Sequence, residues 1–330
     1  MISAVCCPEP PSSRVELSVV IPLYNEDATL GELYQRLLRV LEPLALPGGF
    51  ELIFINDGSH DQTLPLLLNL AARDERVRYI DLSRNFGHQI AVTAGLDRAT
   101  GEAVVILDAD LQDPPELIPL LRDKMREGYE VVYAKRRSRP GDSAAKKLTA
   151  RLFYRLLASI THISIPVDTG DFRIISRKVV EGLRLMPEQN KFIRGQISWI
   201  GYRQTSIEYD RAERAGGETG YTYRKMMRLA LDGITAFSDV PLKVATISGF
   251  LVSGIAFLVG LYTLYSRFIT RDYEPGWASL MVSILFLGGV QLISVGIIGE
   301  YIARLSANVR QRPLYLISAT NMPPDLPPGK

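Results

Sequence analysis

Two long apolar segments without a charged residue constrain the fold of this chain more than any other feature of its sequence. They run from Val244 to Tyr265 and from Trp277 to Ile298, and neither contains Asp, Glu, Lys or Arg. A helix needs about 20 apolar residues to cross the ~30 Å hydrocarbon core of a bilayer. Since core helices of soluble proteins rarely stay uncharged over such a length, the sequence predicts a two-helix transmembrane hairpin over 241–303.

Charged residues beside this hairpin predict its orientation. Cations precede the first apolar segment and follow the second: Lys225, Arg228, Lys243, Arg304, Arg310 and Arg312. The positive-inside rule places such flanks at the cytoplasmic face. We therefore expect a multi-pass protein of the cell (inner or plasma) membrane, with both termini in the cytoplasm and a cytoplasmic C-terminal tail over 304–330.

Before the hairpin, apolar β-branched runs alternate with amphipathic helical patterns. This alternation begins at Glu16 and has β-α-β-α-β-α-β order by Leu107, which is typical of a Rossmann-like, mostly parallel α/β sheet. We assign 16–217 to one cytoplasmic catalytic domain and 1–15 to a flexible tail. No Gly-x-Gly-x-x-Gly follows the first strand and no Gly-Lys-Ser/Thr loop occurs, which argues against a dinucleotide oxidoreductase and against a P-loop NTPase.

Two further segments have the pattern of basic amphipathic helices. One runs from Lys146 to Ile160, and the other is a juxtamembrane helix over 218–240. Such helices are typical of segments that lie on an anionic membrane surface. An ordinary packed helix explains the first of them equally well.

Paired carboxylates follow the fourth predicted strand. Asp108 and Asp110 come directly after the apolar run Ala103–Leu107, at the sheet edge where ligands of open α/β sheets bind. Their side chains share one side of an extended backbone, and Gln112 continues the row if the backbone stays extended. Such oxygen ligands suit Mg²⁺ or Mn²⁺. The alternative is a polar loop whose acids cap helices.

Other charges are expected at the same edge. Glu26 and Asp57 follow the first two strands, although both are also placed to cap the next helix. The basic run Lys135–Arg139 suits a diphosphate, or else forms a solvated loop. Further on, Val167–Arg173 reads as a turn with two acids before a short strand, and Lys191–Tyr202 as an aromatic and basic loop.

Four motifs together with the hairpin carry a family resemblance. They are Val19–Glu26, Asn56–Ser59, Arg84–Gln89 and Asp108–Glu116. The chain resembles family 2 glycosyltransferases of the GT-A fold. More narrowly, it is similar to the bacterial polyprenyl-phosphate hexosyltransferases, which are related to dolichol-phosphate mannose synthase. The resemblance covers nearly the whole chain from Glu16 to Leu316.

The resemblance implies a role for particular residues. The nucleotide would be bound by Pro22, Tyr24, Glu26, Asp57 and Asp108. Asp110 and Gln112 would hold the metal, and Arg136 and Arg139 would face phosphate groups. Asp171 matches the acceptor-side carboxylate of the family. Asn56 replaces the first acid of the commoner Asp-Asp-Gly-Ser form, which weakens one base contact, and the Gln-x-x-Arg-Trp signature of processive synthases is absent.

The function implied is transfer of a hexose from a nucleotide sugar to polyprenyl (undecaprenyl) phosphate, with metal-dependent inversion. UDP-glucose is the favoured donor by analogy with the bacterial members of the family. The sequence leaves open whether the chain forms a homo-oligomer. Because the acceptor phosphate is mostly dianionic at neutral pH, we expect Asp171 to position a substrate rather than remove a proton. The alternatives are a membrane-tethered nucleotidyltransferase and a non-catalytic scaffold. A net charge of +2 gives no argument for nucleic acid.

Overall fold

The computed structural model describes residues 15–137, 169–209, 240–265, 269 and 276–323. These residues separate into two compact units, which we describe one at a time. The first unit holds the described residues up to 209 together with 313–323, and the second holds those from 240 to 312. Residues 1–14 of the predicted tail, the predicted helix 146–160, Arg139 and 218–239 of the predicted juxtamembrane helix lie outside the described part.

The first unit is built on one eight-stranded sheet. Its strands are β1 (Leu17–Leu23), β2 (Phe50–Asn56), β3 (Val77–Leu82), β4 (Ala103–Ile106), β5 (Val131–Arg136), β6 (Thr169–Ser176), β7 (Gln204–Tyr209) and β8 (Ile317–Thr320). Its helices are α1 (Asp27–Leu41), α2 (Thr63–Arg73), α3 (His88–Arg98), α4 (Ile118–Arg126), α5 (Arg177–Arg184) and α6 (Ile193–Ile200). The strand order is β7-β5-β6-β4-β1-β2-β3-β8.

Most strand pairs of this sheet are parallel. β4, β1, β2 and β3 pair in parallel in that spatial order, and β5 pairs in parallel with β7. The exceptions are β6, which is antiparallel to β4 and β5, and the edge strand β8, which is antiparallel to β3. The predicted mostly parallel α/β class is therefore confirmed.

The core has two layers because side chains alternate along each strand. On β1, Val19 faces the cluster that includes Leu33 of α1, whereas Val20 faces the cluster that includes Val92 of α3. All four side chains are at most 1% exposed. Helices thus cover both faces of the sheet, which leaves the strand ends as the place where loops can form a site.

Two predictions, for the turn Val167–Arg173 and for the loop Lys191–Tyr202, need correction. Thr169–Ser176 is one strand, so Asp171 lies inside β6 and not in a turn. Gly170 and the neighbouring acids suggested a turn, but pairing with β5 extends the strand back to Thr169, past an irregularity, while β4 pairs only with Arg173–Ser176. The predicted loop Lys191–Tyr202 contains helix α6, which buries Ile193 and Ile197 and ends at Gly201 in the left-handed region, φ 78°.

The region 304–330 is also not simply a tail. The second apolar helix continues to Val309, and Ile317–Thr320 forms β8 in the sheet of the first unit. A segment of only four residues of mixed polarity gives no clear strand pattern, because predicting a strand from sequence needs alternation over a longer run. Two hydrogen bonds attach this segment to β3 and to the residue after it: Ser83 N–H donates to the carbonyl of Leu316, and the Thr320 hydroxyl donates to the carbonyl of Tyr79.

The second unit consists of two long helices that contact each other, α7 (Val240–Tyr265) and α8 (Trp277–Val309). Within them, Leu242–Tyr262 and Phe286–Val309 are long and apolar enough to cross a membrane. Large apolar side chains such as Phe250 and Ile293 are exposed, and large exposed apolar surfaces mark sites of membrane or protein contact. The predicted spans 244–265 and 277–298 both lie within these helices.

Candidate active site

A cleft of about 290 Å³ lies at the carboxyl ends of β1, β2 and β4. Six of the residues that the sequence singled out line it: Pro22, Tyr24, Glu26, Asp57, Asp108 and Asp110. Asn85 and Gly87, from the segment before α3, and His88, the first residue of α3, also line the cleft. The structure thus brings the predicted nucleotide-side residues together in one cleft.

The floor of the cleft depends on two loops that are tied to each other. Asn25, in the left-handed region with φ 57°, donates its backbone N–H to Ser59 Oγ at 3.0 Å, and Glu26 N–H donates to Thr63 Oγ1 at 2.8 Å. Gly58 has φ +67°, and a Cβ there would stand 2.5 Å from the backbone nitrogen of Asn85. The glycine of the Asn-Asp-Gly-Ser motif is therefore explained by its positive φ and by the close approach of another backbone segment.

Asp57 holds the segment that leads into α3. Its side chain is 3% exposed, and it accepts the backbone N–H groups of Phe86 at 2.7 Å and Gly87 at 2.9 Å. Desolvation raises the pKa of this carboxyl, against the two hydrogen bonds. Asp57 therefore bonds the start of α3, and not the helix that follows it in sequence.

The acidic loop after β4 turns sooner than the sequence suggested. Leu111 has φ 59°, so the backbone does not stay extended and Gln112 does not continue the row of Asp108 and Asp110. Gln112 is 6% exposed, and its backbone N–H donates to Asp110 Oδ1 at 3.1 Å. Its assignment as a metal ligand stays a prediction. Next to it, the buried Asp113 accepts the hydroxyl of Tyr209.

A second group of side chains surrounds Asp171. Its Oδ1 accepts from Arg194 Nε at 2.7 Å, and its Oδ2 lies 3.1 Å from His88 Nε2. The same His88 nitrogen is 3.6 Å from Asp108 Oδ1. Asp171 is therefore linked through His88 to the acidic pair after β4.

Mutual charges set the protonation of this group. Desolvation lowers the pKa of His88, but the hydrogen bond and the charges of Asp171 and Asp108 outweigh it and raise the pKa to about 9. Desolvation raises the pKa of Asp108 to about 6 against the charge of His88. For Asp171 desolvation is outweighed by His88 and Arg194, which hold its pKa well below the ordinary value. His88 is thus cationic and Asp171 anionic at neutral pH.

His88 and Arg194 were not among the predicted site residues. His88 belongs to the motif Arg84–Gln89, which identified the family without assigning a role to each residue. Arg194 lies 23 positions from its partner Asp171, and pattern alone does not reveal such a pair. A histidine inside a recognised motif was the available signal.

The cleft residues fit a cation. Asp108 Oδ1 is a buried oxygen without a hydrogen-bond partner among the described residues, and Asp110 lines the cleft beside it. Carboxylates gathered at one edge favour a bound positive group, and hard oxygens suit a small divalent ion. A metal ion such as Mg²⁺ or Mn²⁺ therefore suits this donor set.

The predicted basic loop is described only in part. The backbone of Arg136 ends β5 and pairs with Tyr209 of β7. Lys135 Nζ lies 3.0 Å from Glu208 Oε1, so this cation has an anionic partner on the neighbouring strand. The roles of Arg136 and Arg139 at phosphate groups stay predictions.

Comparison with known proteins gives consistent matches. The family model described as "Glycosyl transferase family 2" matches residues 18–184, and "GtrB C-terminal hairpin" matches residues 240–305. "Uncharacterized glycosyltransferase YkcC" of Bacillus subtilis is 49% identical over 306 residues, which cover 93% of this chain and 94% of that protein. The "SfII prophage-derived bactoprenol glucosyl transferase" of Shigella flexneri is 43% identical over 307 residues, covering 93% and 99%.

Among solved structures, the mannosyltransferase PcManGT from Pyrobaculum calidifontis, in complex with GDP-Man and Mn²⁺, aligns with a TM-score of 0.49. It is 18% identical, and the alignment covers 93% of this chain and 89% of that chain. The first family model spans the strands that form the cleft, and the second spans α7 and most of α8.

Proposed function

This chain belongs to glycosyl transferase family 2, and from that membership we propose that it transfers glucose from a nucleotide sugar to a polyprenyl phosphate at the cytoplasmic face of a membrane. Relatives at 42–43% identity are named bactoprenol glucosyl transferases, and they match over 98–99% of their own length. The match to the hairpin model supports the same proposal. UDP-glucose is the donor we favour.

One observation carries the proposal: acids that are far apart in sequence meet in one cleft, in a chain that also carries an apolar hairpin. Glu26, Asp57, Asp108 and Asp110 line this cleft. A nucleotide with N–H and O–H donors, together with a cation, would balance their charge. The hairpin would keep the domain at the surface where the lipid acceptor resides and so raise the effective acceptor concentration.

In this proposal Pro22, Tyr24, Glu26, Asp57 and Asp108 bind the base and ribose of the donor. Asp110 holds the metal ion, with Gln112 as a second ligand. When bound, Mg²⁺ or Mn²⁺ supplies Lewis-acid stabilisation of the diphosphate that leaves. Arg136 and Arg139 add positive charge near the phosphate groups.

The reaction is a single displacement. A phosphate oxygen of the acceptor forms the new bond to the anomeric carbon, and the bond from that carbon to the donor diphosphate breaks, with inversion. A phosphate monoester has a second pKa near ~6 and is already mostly dianionic at neutral pH, so it needs no general base. Asp171 is already bonded through both oxygens, which favours a positioning role over proton removal.

Connectivity supports a hairpin with both flanks on one side of the membrane. β7 precedes α7, β8 follows α8, and both strands belong to the same sheet. A single sheet cannot form across a bilayer, so the chain must cross an even number of times between them. With the basic flanks this favours a cytoplasmic catalytic domain.

The test is turnover by the full-length chain in vesicles that contain undecaprenyl phosphate, with Mg²⁺ and a panel of nucleotide sugars. We expect lipid-linked glucose and release of a nucleoside diphosphate from UDP-glucose. Asp110→Asn should abolish turnover, whereas Asp123→Asn, at an exposed position on α4, should not change it. Release of inorganic diphosphate would indicate a nucleotidyltransferase, and no metal-dependent turnover with any donor would indicate a scaffold.

A further inference from the structure

Two carboxylates from different strands come close together beside the cleft. Asp108 follows β4 and Asp171 lies within β6, and these two strands are antiparallel neighbours. One ligand atom each of His88, Asp108 and Asp171 lies within 4.8 Å of the other two. Two carboxylates at such a distance repel each other unless a positive group lies between them.

His88 provides a positive group in contact with both. Its Nε2 is 3.1 Å from Asp171 Oδ2 and 3.6 Å from Asp108 Oδ1. The other oxygen of Asp171 faces two arginines, Arg194 at 2.7 Å and Arg173 at 3.7 Å. The arginines thus contact Oδ1 of Asp171, and His88 links the other oxygen, Oδ2, to Asp108.

We propose that His88 is a positioning residue that acts through Asp171, bridging this acceptor-side carboxylate to the donor-side carboxylate of Asp108. The inference rests on the proposed function for the terms donor and acceptor. The bridge fixes the distance between the two halves of the site, because β6 carries one carboxylate and the loop after β4 carries the other. In this proposal His88 contacts neither the anomeric carbon nor the acceptor phosphate.

A metal ion bound by the same three residues is a distinct alternative. A ring nitrogen that ligates a metal uses its lone pair and carries no proton. The bridge needs the opposite, a proton on Nε2 that is donated to Asp171. The distance of 3.1 Å between Nε2 and Oδ2 is that of a direct hydrogen bond, and because an ionised carboxylate can only accept, this bond requires the proton on Nε2.

The activity test compares His88→Asn, Asp171→Asn and the double variant in the full-length chain, in vesicles with UDP-glucose and undecaprenyl phosphate. His60→Asn is the matched control, because His60 is an exposed histidine outside the cleft lining. We expect His88→Asn to lower kcat/KM for the lipid acceptor about 10- to 100-fold, the effect of losing a charged hydrogen bond, with the KM for the donor within about threefold. Since both residues act as one unit, kcat/KM for the lipid acceptor in the double variant should be no lower than in the less active of the two single variants.

If the losses in kcat/KM multiply in the double variant, the proposal is overturned. It is also overturned if His88→Asn raises the KM for the donor by the same factor by which it lowers kcat/KM for the acceptor. Mn²⁺ affinity, measured by calorimetry, separates the metal alternative: it should be unchanged in His88→Asn, and a drop of tenfold or more would make His88 a ligand.

Thermal unfolding of the same four variants and the wild type gives a readout without turnover. We expect the loss in Tm of the double variant to be smaller than the sum of the two single losses. Additive losses would overturn the bridge. If the wild type transfers no sugar to lipid at all, the proposed function fails, while the unfolding measurement still decides whether His88 and Asp171 act as a pair.

Discussion

At the scale of single residues, the carboxylate of Asp171 decides how the acceptor is activated. A general base needs a lone pair that is free to take a proton and a pKa near the working pH. Asp171 has neither property, because Arg194 and His88 occupy its two oxygens and hold its pKa well below the ordinary value. The carboxylate is instead a fixed negative charge at a defined position.

Asp171→Asn should therefore reduce turnover without abolishing it. We expect kcat to fall about 10- to 100-fold, since the amide loses charged hydrogen bonds but no proton transfer. Steady-state kinetics with undecaprenyl phosphate and the preferred donor measure this. A fall of about 10⁴-fold, the upper end of general-base catalysis, with unchanged KM values would identify Asp171 as a true base.

Gly58 is a second residue at which a single substitution has a defined structural effect. Its Cβ would stand 2.5 Å from Asn85 N and 2.6 Å from the carbonyl carbon of Arg84, and its φ is +67°. Gly49 has a similar φ of +70° and nothing within 4 Å of its Cβ position. The pair therefore separates backbone strain from steric overlap.

Gly49→Ala should lower the free energy of unfolding by roughly 1–2 kcal/mol, the cost of a left-handed alanine. Gly58→Ala should cost about 1–3 kcal/mol more, because backbone atoms block its Cβ, and it should also weaken nucleotide-sugar binding by shifting the segment that lines the cleft. Denaturant unfolding and calorimetric titration measure both. Equal losses in the two variants would show that the contact at Asn85 does not constrain the loop.

The sequence predicts which acids lie together where strand ends converge, whereas their roles stay predictions. Asp57, Asp108 and Asp110 meet because parallel strands place their carboxyl ends at one edge, a property of the fold class itself. The contacts of His88 and Arg194 with Asp171 depend on how α3 and α6 pack against the sheet. No short-range pattern encodes that packing, so these partners were missed.

At the scale of secondary-structure elements, β8 is the element that the sequence did not reveal. It covers the edge of β3, and the segment around it is bonded at several points. Tyr315 Oη donates to Asp97 Oδ2 at 2.9 Å, and Asn321 accepts the N–H of Tyr79 at 2.8 Å. These contacts attach the chain after the hairpin to β3 and to the end of α3.

Removing 314–330 should therefore destabilise the first unit and promote aggregation. The edge of β3 would present unpaired N–H and C=O groups, which template association of strands. Removing only 324–330 keeps β8 and is the matched control. Thermal unfolding and size-exclusion chromatography in detergent compare the two, and equal Tm values with equal monodispersity would show that β8 does not support the sheet.

β6 shows why element prediction was incomplete even inside the sheet. Phe172 and Ile174 face one core layer and Ile175 the other, which is a strand pattern. The preceding Asp-Thr-Gly-Asp is turn-like by composition, and only the pairing of Thr169 with Lys135 of β5 shows that the strand already begins there. The apolar spacing predicts helices over Thr29–Leu41 and Gln62–Arg73, and α1 and α2 lie within two residues of these bounds.

At the scale of the whole molecule, connectivity constrains topology more tightly than flanking charge does. The positive-inside rule is a statistical preference, whereas two strands of one hydrogen-bonded sheet must share a compartment. β7 and β8 bracket α7 and α8 in sequence. If both helices cross the bilayer, the short link between Tyr265 and Trp277 must face the opposite side from the sheet.

Single-cysteine labelling tests this topology. Cys6 and Cys7 are the two cysteines of the chain, so replacing both by Ser gives a background for Thr270→Cys in the link and Ser318→Cys at an exposed position on β8. In intact cells a membrane-impermeant maleimide should label Thr270→Cys, and it should label Ser318→Cys only after permeabilisation, because the sheet is expected in the cytoplasm. Labelling of both in intact cells would place the sheet outside. Protection of Thr270→Cys before permeabilisation, with labelling afterwards, would mean that the link stays on the cytoplasmic side, so that the helices lie on the membrane without crossing it.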